Sequence, residues 1–403
     1  MEPDRSHDDE NTRENGLSAE ALRSLLVRDL RDGGILRDAA VEQALFAVPR
    51  HLFLPDVPLR EAYADIAVPT RWQDGVPISS ASQPAIVAIM LEQLRVTTGM
   101  RVLEIGAGTG YNAALLAEFV GPGGAVTTLD IDRDIVDDAT AHLASAGYTS
   151  VHAITTDGAF GWPANAPYDR IILTVGAADI APAWFDQLAE GGLLVLPLWL
   201  GGAQASVAFR RREGALRSES IACCGFMRLR GEEAGSERVV SLPGGRQLFA
   251  EDAERIAGPI ATLLRTRPRL RLWTRPTQTV LQRLGVTGHR VITLYAQKQS
   301  TQRQRTRARQ GVYVEGDDGP SLALFANSQR LVLYFGSDAA ERTLKDASGE
   351  RTGIVTMPIE RWRIVAYPLA RTPAAIPTGA LRLTRRRFAY DIWLDDSASK
   401  ANV

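Results

Sequence analysis

The most regular hydrophobic pattern lies in residues 101–196, where short apolar runs alternate with segments of helical period. The first two of these segments predict helices over Tyr111–Val120 and Asp134–Ala146. Strands separated by helices are typical of βαβ units, so the pattern predicts an α/β fold with a doubly wound parallel sheet. The apolar runs predict five strands: Arg101–Ile105, Ala125–Leu129, His152–Thr155, Arg170–Val175 and Gly192–Leu196.

Further helices and a hairpin are predicted on either side of this block. Ser18 and Asp38 are placed to cap two short helices, and Ser82–Leu94 predicts a third. Ser206–Arg211 and Ile221–Arg230 predict two more strands, which would close one edge of the sheet as a hairpin.

The pattern changes near Gly231–Ser236, where a second domain is expected to begin. A helix over Ala250–Leu264 precedes an α+β mixture, and the polar Gln297–Gln310 predicts an exposed loop or a solvated helix. Further strands are predicted over Leu322–Ala326, Arg330–Phe335, Ile354–Pro358, Arg361–Tyr367, Ala380–Thr384 and Arg387–Leu394. The expected organisation is a disordered tail at 1–16, a first domain at 17–232, a basic α+β domain at 233–395 and a tail at 396–403.

Composition excludes several classes of protein. The 403 residues are 45% hydrophobic and 23% charged, and no run approaches the roughly 20 apolar residues of a membrane span. The acidic start, Met1-Glu2-Pro3-Asp4, differs from the basic and apolar start of a signal peptide. The two cysteines, Cys223 and Cys224, are adjacent, so neither a disulfide framework nor a cysteine zinc cluster is expected. We therefore expect a cytoplasmic protein.

Charge is divided unevenly along the chain. Residues 1–232 carry 19 Lys and Arg against 31 Asp and Glu, a formal charge of −12, whereas residues 233–403 carry 27 against 16, or +11. A basic second half suits an acidic peptide, a nucleic acid or the acidic first half, and plain solvation of its arginines has equal weight. For the Arg265–Arg275 run, a solvated strand edge is favoured over binding of an acidic leader or a nucleic acid.

The strongest local motif is the glycine-rich turn after the first strand of the regular block. Gly106, Gly108 and Gly110 permit a tight turn and close approach of a ligand to the backbone. A dinucleotide fingerprint requires glycine where Tyr111 stands. Glu104, just before the turn, can face the positive amino-acid end of S-adenosylmethionine, so this cofactor is favoured over a dinucleotide.

Two more acidic positions follow at the next strand ends. Asp130, 24 residues after Gly106, can accept the ribose hydroxyl protons, and Asp157 lies where the adenine is expected. Carboxylates at three strand ends in this order favour S-adenosylmethionine over an ordinary tight turn. The predicted cofactor-binding set is Glu104, Gly106, Gly108, Thr109, Gly110, Asp130, Asp157, Gly158 and Thr174.

With these residues in view, the chain resembles the protein-L-isoaspartate O-methyltransferase family from about Val48 to Gly231. The resemblance implies a class I methyltransferase (Rossmann-like) sheet, S-adenosylmethionine as cofactor and a peptide or protein as substrate. It rests on several motifs in the right order: Val48-Pro49-Arg50-His51-Leu52-Phe53, Ala62-Tyr63-Ala64-Asp65-Ile66-Ala67-Val68-Pro69, Ser82-Gln83-Pro84-Ala85-Ile86, Val102 to Tyr111, Asp157-Gly158, Tyr168-Asp169-Arg170-Ile171-Ile172, Gly191 to Pro197 and Gly201-Gly202-Ala203-Gln204.

The resemblance also implies the catalytic residues. Ser82 matches the active-site serine of the family, Ser80 stands where its repair enzymes usually have threonine, and Ser79 is a further supporting hydroxyl. A carboxylate acceptor is already ionised at neutral pH, so the site needs orientation and exclusion of water rather than a strong base. The competing interpretation of Ser82 is a helix N-cap before Pro84.

Two departures from the repair enzymes bear on the substrate. The serine-rich run and the long C-terminal extension are similar to the branch of the family found with ribosomally synthesised modified peptides such as lanthipeptides and graspetides. That branch esterifies an aspartyl side chain of a cyclised peptide, and the ester closes to a succinimide (aspartimide). The resemblance therefore implies a precursor peptide as partner, with an acidic leader as one option. Repair of isoaspartyl residues in damaged proteins is the alternative.

The remaining candidate residues give weaker indications of function. The histidines have no metal-ligand spacing to carboxylates, so no metal is expected. Asp65 is placed to align the active site or to cap a turn, and Trp72 with Asp74 to cover a bound peptide or form a surface turn. The run after the fourth strand, Thr174-Val175-Gly176-Ala177, lacks the Asp/Asn-Pro-Pro-Tyr type of motif that binds a flipped base, so no nucleic acid is expected as a partner. No membrane partner is expected either, because no apolar run is long enough to span a bilayer. A non-catalytic peptide-binding module is disfavoured because the strand-end carboxylates and the serine are all present.

Overall fold

The structure, a computed structural model, describes residues 13–14, 16–73, 76–200, 204–236, 238–272, 280–281, 284, 290–298, 305–325, 331–347, 362–378 and 380–394. Contacts between Cα atoms divide the chain into two compact units. The first comprises Met1–Pro197, Ser206–Ala234 and Tyr367–Arg371, and the second comprises Leu198–Ala205, Gly235–Ala366 and Thr372–Val403. No helix within the described residues is long and apolar enough to cross a membrane.

The first unit alternates strands and helices along the chain. Its described residues include four short 3₁₀ helices: Arg50–Phe53, Gly158–Phe160, Pro163–Asn165 and Leu369–Arg371. The longer elements are β1 (Arg13–Glu14), β2 (Leu17–Ser18), α1 (Ala19–Asp32), α2 (Ala39–Ala47), α3 (Leu59–Ala62), β3 (Val68–Gln73), β4 (Val76–Ala81), α4 (Pro84–Leu94), β5 (Arg101–Ile105), α5 (Tyr111–Val120), β6 (Ala125–Asp130), α6 (Arg133–Ser145), β7 (His152–Thr155), β8 (Tyr168–Leu173), α7 (Pro182–Gln187), β9 (Leu188–Trp199), β10 (Gln204–Arg212) and β11 (Ala215–Cys224).

The main sheet of this unit has the strand order β11-β10-β9-β8-β5-β6-β7. β5 pairs in parallel with both β6 and β8, and the pairs β6–β7 and β8–β9 are also parallel. The chain therefore builds outward from β5 in one direction and then returns to β8 on its other side. Ligands of doubly wound sheets bind beyond the carboxyl ends of the strands at such a reversal. The predicted doubly wound α/β fold is confirmed.

Apolar faces of the helices bury this sheet. Leu26 of α1, Leu91 of α4 and Leu115 of α5 lie in one hydrophobic cluster with Val102 and Ile172 from β5 and β8. Each of these five side chains is less than a tenth exposed. The β5 and β8 ends are therefore held in a packed core, which fixes the loops that follow them.

The second unit is built around a seven-stranded antiparallel sheet. The elements are β12 (Arg238–Leu242), β13 (Arg246–Ala250), α8 (Ala253–Leu263), β14 (Arg269–Leu272), β15 (Arg290–Lys298), β16 (Arg305–Gly316), β17 (Gly319–Phe325), β18 (Leu331–Gly336), α9 (Ala339–Ala347), β19 (Trp362–Pro368), β20 (Leu381–Thr384) and β21 (Phe388–Leu394). The strand order in the sheet is β12-β13-β15-β16-β17-β18-β14, and the remaining strands lie in the order β20-β21-β19.

Helices α8 and α9 cover opposite faces of this sheet. Ile256 of α8 clusters with Leu322 of β17, whereas Leu344 of α9 clusters with the adjacent residue, Ala323. Successive side chains of a strand point to opposite faces, so each helix buries its own side of β17.

Four sequence predictions need correction or restriction. The strand predicted over Ile221–Arg230 is wrong beyond Cys224, because the hairpin strand is Ala215–Cys224 and a loop follows it. The loop or helix predicted over Gln297–Gln310 is wrong for the described residues of that range. They belong to β15 and β16, where Lys298 pairs with Arg305. Backbone pairing can extend through such polar residues because it needs no apolar side chain. Ile354–Pro358, residues 1–12 and residues 396–403 lie outside the described residues, and Arg13–Glu14 within the expected tail pairs with β2.

Candidate active site

A cavity of about 380 Å³ lies beyond the carboxyl ends of β5, β6 and β8, within the first unit. This is the place where the strand order reverses. The structure leaves two predicted cofactor residues, Gly110 and Asp157, out of the cavity wall. The wall contains all three predicted serines and the rest of the predicted cofactor set: Ser79, Ser80, Ser82, Glu104, Gly106, Gly108, Thr109, Asp130, Gly158 and Thr174.

The glycine turn packs tightly against the end of β8. Gly106 has a φ of +101°, and a Cβ atom there would lie 2.6 Å from Oγ1 of Thr174. That hydroxyl donates a hydrogen bond to the Gly106 carbonyl oxygen at 2.6 Å. Both the positive φ and the lack of space require glycine, so the ligand side of the turn remains bare backbone. Gly110 serves the fold instead, because a Cβ there would lie 3.1 Å from the Ala139 carbonyl of α6.

Glu104 is a fully buried carboxyl group of the cavity wall. Its carboxylate accepts hydrogen bonds from Thr128 Oγ1 and Asn112 Nδ2, both at 2.7 Å. Burial raises the pKa of Glu104 from 4.5 to about 7, and the two hydrogen bonds oppose that shift. A cationic ligand beside this carboxylate would restore its full negative charge.

Asp130 ends β6 on the opposite side of the glycine turn. Its carboxylate accepts a hydrogen bond from the Gly108 N–H at 3.2 Å and one from the Asp132 N–H at 3.4 Å. Burial raises the pKa of Asp130, and these backbone donors counteract the shift. Arg230 forms an ion pair with Asp132, so a cation lies next to this acidic corner.

Asp157 does not line the cavity, and its carboxylate instead holds neighbouring backbone in place. Its carboxylate accepts hydrogen bonds from the Ala159 N–H at 2.9 Å and the Glu232 N–H at 2.7 Å. It thereby caps the short 3₁₀ helix that presents Gly158 to the cavity, where a Cβ would lie 2.4 Å from Cγ2 of Ile105. Asp157 thus ties the adenine end of the expected site to the segment near residue 232.

The serine run lies on a two-stranded ribbon formed by β3 and β4. Ser79 and Ser80 belong to β4, and Ser79 Oγ accepts a hydrogen bond from Thr70 Oγ1 of β3 at 3.2 Å. The ribbon lies close to the glycine turn, since a Cβ at Gly108 would be 3.6 Å from the Ser80 carbonyl oxygen. The sequence pattern missed this ribbon because strands of mixed polar residues lack a clear hydrophobic period. Trp72, on the ribbon, is 51% exposed, and Asp74 lies outside the described residues.

Ser82 is not the N-cap of α4. Gln83 holds that position, and no side chain of the helix's own N-terminal residues caps it. Asp65 supplies the acceptor instead, since its carboxylate accepts the Ala85 N–H at 2.8 Å and the Gln83 side-chain amide at 2.9 Å. Ser82 itself lies in the cavity wall.

One wall of the cavity was absent from the sequence prediction. The segment Cys223–Arg230 lines it, and its backbone is attached to the end of β8 through the bonds Gly176 N–H to Met227 O at 2.6 Å and Leu229 N–H to Gly176 O at 2.9 Å. Nothing in the local pattern reveals a contact across about fifty residues. The segment brings a second guanidinium, Arg228, into the wall.

The residues present fit S-adenosylmethionine. Glu104 offers a buried carboxylate for a cationic amino-acid group, and Asp130 offers a carboxylate for vicinal hydroxyls at the next strand end. In the turn between them, Gly106 and Gly108 line the cavity without a side chain. Within the described residues, no group of three or more His, Cys, Asp or Glu is arranged to hold a metal ion.

Comparisons with known proteins identify the family of this chain. Residues 21–234 match the family model described as Protein-L-isoaspartate(D-aspartate) O-methyltransferase (PCMT). A protein-L-isoaspartate O-methyltransferase of Methanococcoides burtonii is 41% identical over 43% of this chain and 82% of its own length. One from Methanopyrus kandleri is 37% identical over 53% of this chain and 94% of its own length. A solved protein-L-isoaspartate O-methyltransferase aligns with a TM-score of 0.51 at 24% identity, over 85% of this chain and 96% of that one. The chain therefore belongs to the protein-L-isoaspartate O-methyltransferase family and is an S-adenosylmethionine-dependent methyltransferase.

Proposed function

We propose that this cavity methylates the carboxylate of an isoaspartyl or aspartyl residue in a peptide or protein. The observation that carries the proposal is that Ser79, Ser80 and Ser82 line one cavity with Glu104 and Asp130. Hydroxyl donors are suited to an anionic acceptor, and the two carboxylates are suited to the cofactor. The names of relatives from Methanococcoides and Methanopyrus support an isoaspartyl substrate.

The cavity supplies orientation rather than proton transfer. An aspartyl carboxyl group has an ordinary pKa of about 3.9 and is ionised at neutral pH, so its oxygen needs no general base. No histidine is among the described residues of the cavity wall. When bound, S-adenosylmethionine supplies an electrophilic methyl group. Ser82 donates a hydrogen bond to one acceptor oxygen and holds the other free to react, while apolar wall residues such as Ile78 and Ile86 exclude water.

The product explains why esterification is useful. In the methyl ester, the backbone nitrogen of the following residue attacks the ester carbonyl carbon, and methanol leaves with the amide proton. A five-membered succinimide results. Its hydrolysis returns aspartyl or isoaspartyl peptide, which makes the sequence of steps a repair cycle for isoaspartyl residues.

The test is methyl transfer from labelled cofactor to a synthetic isoaspartyl peptide. We expect label to appear in the peptide as a base-labile ester and the peptide to convert to succinimide. The same peptide with ordinary aspartate is the matched control for linkage, and Ser82→Ala is the control for the site. Absence of base-labile label from isoaspartyl and aspartyl peptides alike would overturn the proposal.

A second candidate substrate is a cyclised, ribosomally made peptide whose aspartyl side chain is carried to the aspartimide. Two observations favour it: Ser80 in the serine run, and the basic residues 233–403, which lie almost wholly beyond the family match at 21–234. Against it, the solved family member aligns with more of this chain than the family model does. The C-terminal extension alone therefore does not separate peptide tailoring from repair.

A competition experiment distinguishes the two substrates. Isoaspartyl peptide and a cyclised aspartyl peptide with an acidic leader are offered together, and kcat/KM is measured for each. Tailoring requires a preference for the cyclised peptide that disappears when its rings are opened. A preference for the linear isoaspartyl peptide identifies repair as the main activity.

A further inference from the structure

The guanidinium group of Arg50 is buried next to the serine segment, which comprises residues 79–82 at the junction of β4 and α4. Arg50 begins the 3₁₀ helix Arg50–Phe53 and is only 1% exposed. Its Nε–H donates to the Ala62 carbonyl oxygen at 2.9 Å, and its Nη2–H donates to the Ser82 carbonyl oxygen, also at 2.9 Å. The guanidinium carbon lies 4.9 Å from the centre of the Tyr111 ring.

This cation has no ion-pair partner within the described residues. No carboxylate there lies within 4.0 Å of its nitrogens, and Nη1 is shielded from solvent without a hydrogen-bond acceptor. Burying such a charge costs several kcal/mol, which an apolar residue at this place would avoid. Packing alone therefore does not account for an arginine at this position. The hydrogen bonds that Arg50 donates to Ala62 and Ser82 need a separate explanation.

Arg50 contacts both the serine segment and the helix that follows the glycine turn. Ser82 belongs to the serine segment, whereas Tyr111 begins α5 immediately after the glycine turn. Asp65 holds the same segment from the other side through Gln83 and Ala85. Ser82 is thus fixed by a donor on its carbonyl oxygen and by an acceptor on the residues that follow it.

We propose that Arg50 is a positioning residue for methyl transfer, which sets the distance between the Ser82 hydroxyl and the glycine turn. The inference rests on the proposed function, since Ser82 acts on the acceptor carboxylate there. A flat guanidinium can donate to two carbonyl groups while its face rests on the Tyr111 ring, which the ammonium of lysine cannot reproduce. Displacement of a reacting group by about 1 Å can cost roughly a hundredfold in rate.

The test is a double-mutant cycle with Arg50→Lys and Ser82→Ala. We measure kcat and KM for an isoaspartyl peptide in all four combinations. Arg50→Lys should lower kcat at least about tenfold in the parent and less than about twofold in the Ser82→Ala background. Equal losses in the two backgrounds would mean a general structural role and would overturn the proposal. Arg133→Lys, at a side chain that is 82% exposed, is the matched control.

A second readout does not depend on activity. Amide hydrogen exchange of residues 82–86 should accelerate in Arg50→Lys, while exchange in α6 stays at the parent rate. Unchanged exchange at 82–86 would overturn the proposal even if no peptide is methylated, so it is decided separately from the proposed function. Arg50→Gln, which buries no naked charge, replaces Arg50→Lys in both measurements if the lysine variant does not fold.

Discussion

Glu104 shows how strongly one residue depends on its surroundings. At the end of a short apolar strand it is fully buried, and its carboxylate keeps only two hydrogen-bond donors in place of water. Without a cationic ligand, burial raises its pKa to about 7, so the carboxyl group is about half protonated at neutral pH. The same carboxylate is well placed to bind a positively charged amino-acid group as an anion.

Stability of the ligand-free protein should therefore fall as pH rises from about 4.5 to 7. The folded state holds the Glu104 proton more tightly than the unfolded state, so this contribution is fully present below 4.5 and is lost through pH 7. The raised pKa corresponds to about 3 kcal/mol across that window. Urea unfolding at pH 5 and 7.5 should show this loss in the parent and not in Glu104→Gln. Glu254→Gln, at an exposed glutamate, should behave like the parent.

Binding of S-adenosylhomocysteine should have the opposite pH dependence. The ligand's ammonium group requires ionised Glu104, so affinity should rise between pH 6 and 7.5 as the carboxyl loses its proton. Calorimetric titration of the parent and of Glu104→Gln measures this directly. An equal pH dependence in both proteins would place the ammonium away from Glu104.

Ser82→Ala should lower kcat by roughly 10- to 100-fold with little change in cofactor affinity. The estimate follows from one hydrogen bond to a charged group, about 1.5–3 kcal/mol. Single-turnover methylation and S-adenosylhomocysteine titration separate the two quantities. Ser145→Ala, at an exposed serine of α6, is the control. An unchanged kcat in Ser82→Ala would remove this hydroxyl from the reaction.

At the scale of elements, the decisive piece is the turn between β5 and α5. Its first glycine meets the end of β8, so the turn is shaped by a strand that follows it by more than sixty residues. The positive φ of Gly106 would by itself strain an alanine. The 2.6 Å distance from its Cβ position to Thr174 Oγ1 adds a steric clash.

Gly106→Ala should therefore cost more stability than Gly147→Ala. Gly147 also has a positive φ, +88°, but a Cβ there meets nothing within 4 Å. We expect about 1 kcal/mol for the control and 2–4 kcal/mol for Gly106→Ala, together with weaker cofactor binding. Urea unfolding of the two variants measures the difference. Equal losses would show that φ, and not the contact with Thr174, demands this glycine.

Prediction from sequence succeeded where elements have a clear period. The strands Arg101–Ile105 and His152–Thr155 and the helix Tyr111–Val120 have the predicted bounds, since their apolar residues follow a strand or helix period. The β3–β4 ribbon and the loop after Cys224 were missed. Their residues are mixed in polarity and are held by contacts with Gly176 and with each other.

At the scale of the whole molecule, charge separates the two parts of the chain. Residues 1–232 carry −12 and residues 233–403 carry +11. In the second unit, the arginine run is a strand edge in its described part, where all four residues of β14 are exposed. Arg269 pairs there with Asp338, so part of this basic surface is locally neutralised.

If the basic half receives an acidic leader, methylation should depend on salt only when the leader is present. We expect KM for a leader-bearing peptide to rise several-fold between 50 and 300 mM NaCl, because screening weakens contacts between exposed charges. A leaderless peptide with the same acceptor is the matched control. Identical salt dependence for the two peptides would count against recognition of the leader by charge.

The amino-acid sequence by itself determined the doubly wound block, its glycine turn and the carboxylates at its strand ends, because local period and spacing encode them. Only the tertiary structure decided which groups share the cavity. It brought the serine ribbon against the glycine turn, placed the Cys223–Arg230 segment in the same cavity wall, turned Asp157 toward residue 232, and placed Arg50 behind Ser82. The hydrogen bonds from Arg50 to Ser82 and from Glu232 to Asp157 join residues 32 and 75 positions apart. They depend on packing of the whole unit, which no local pattern records.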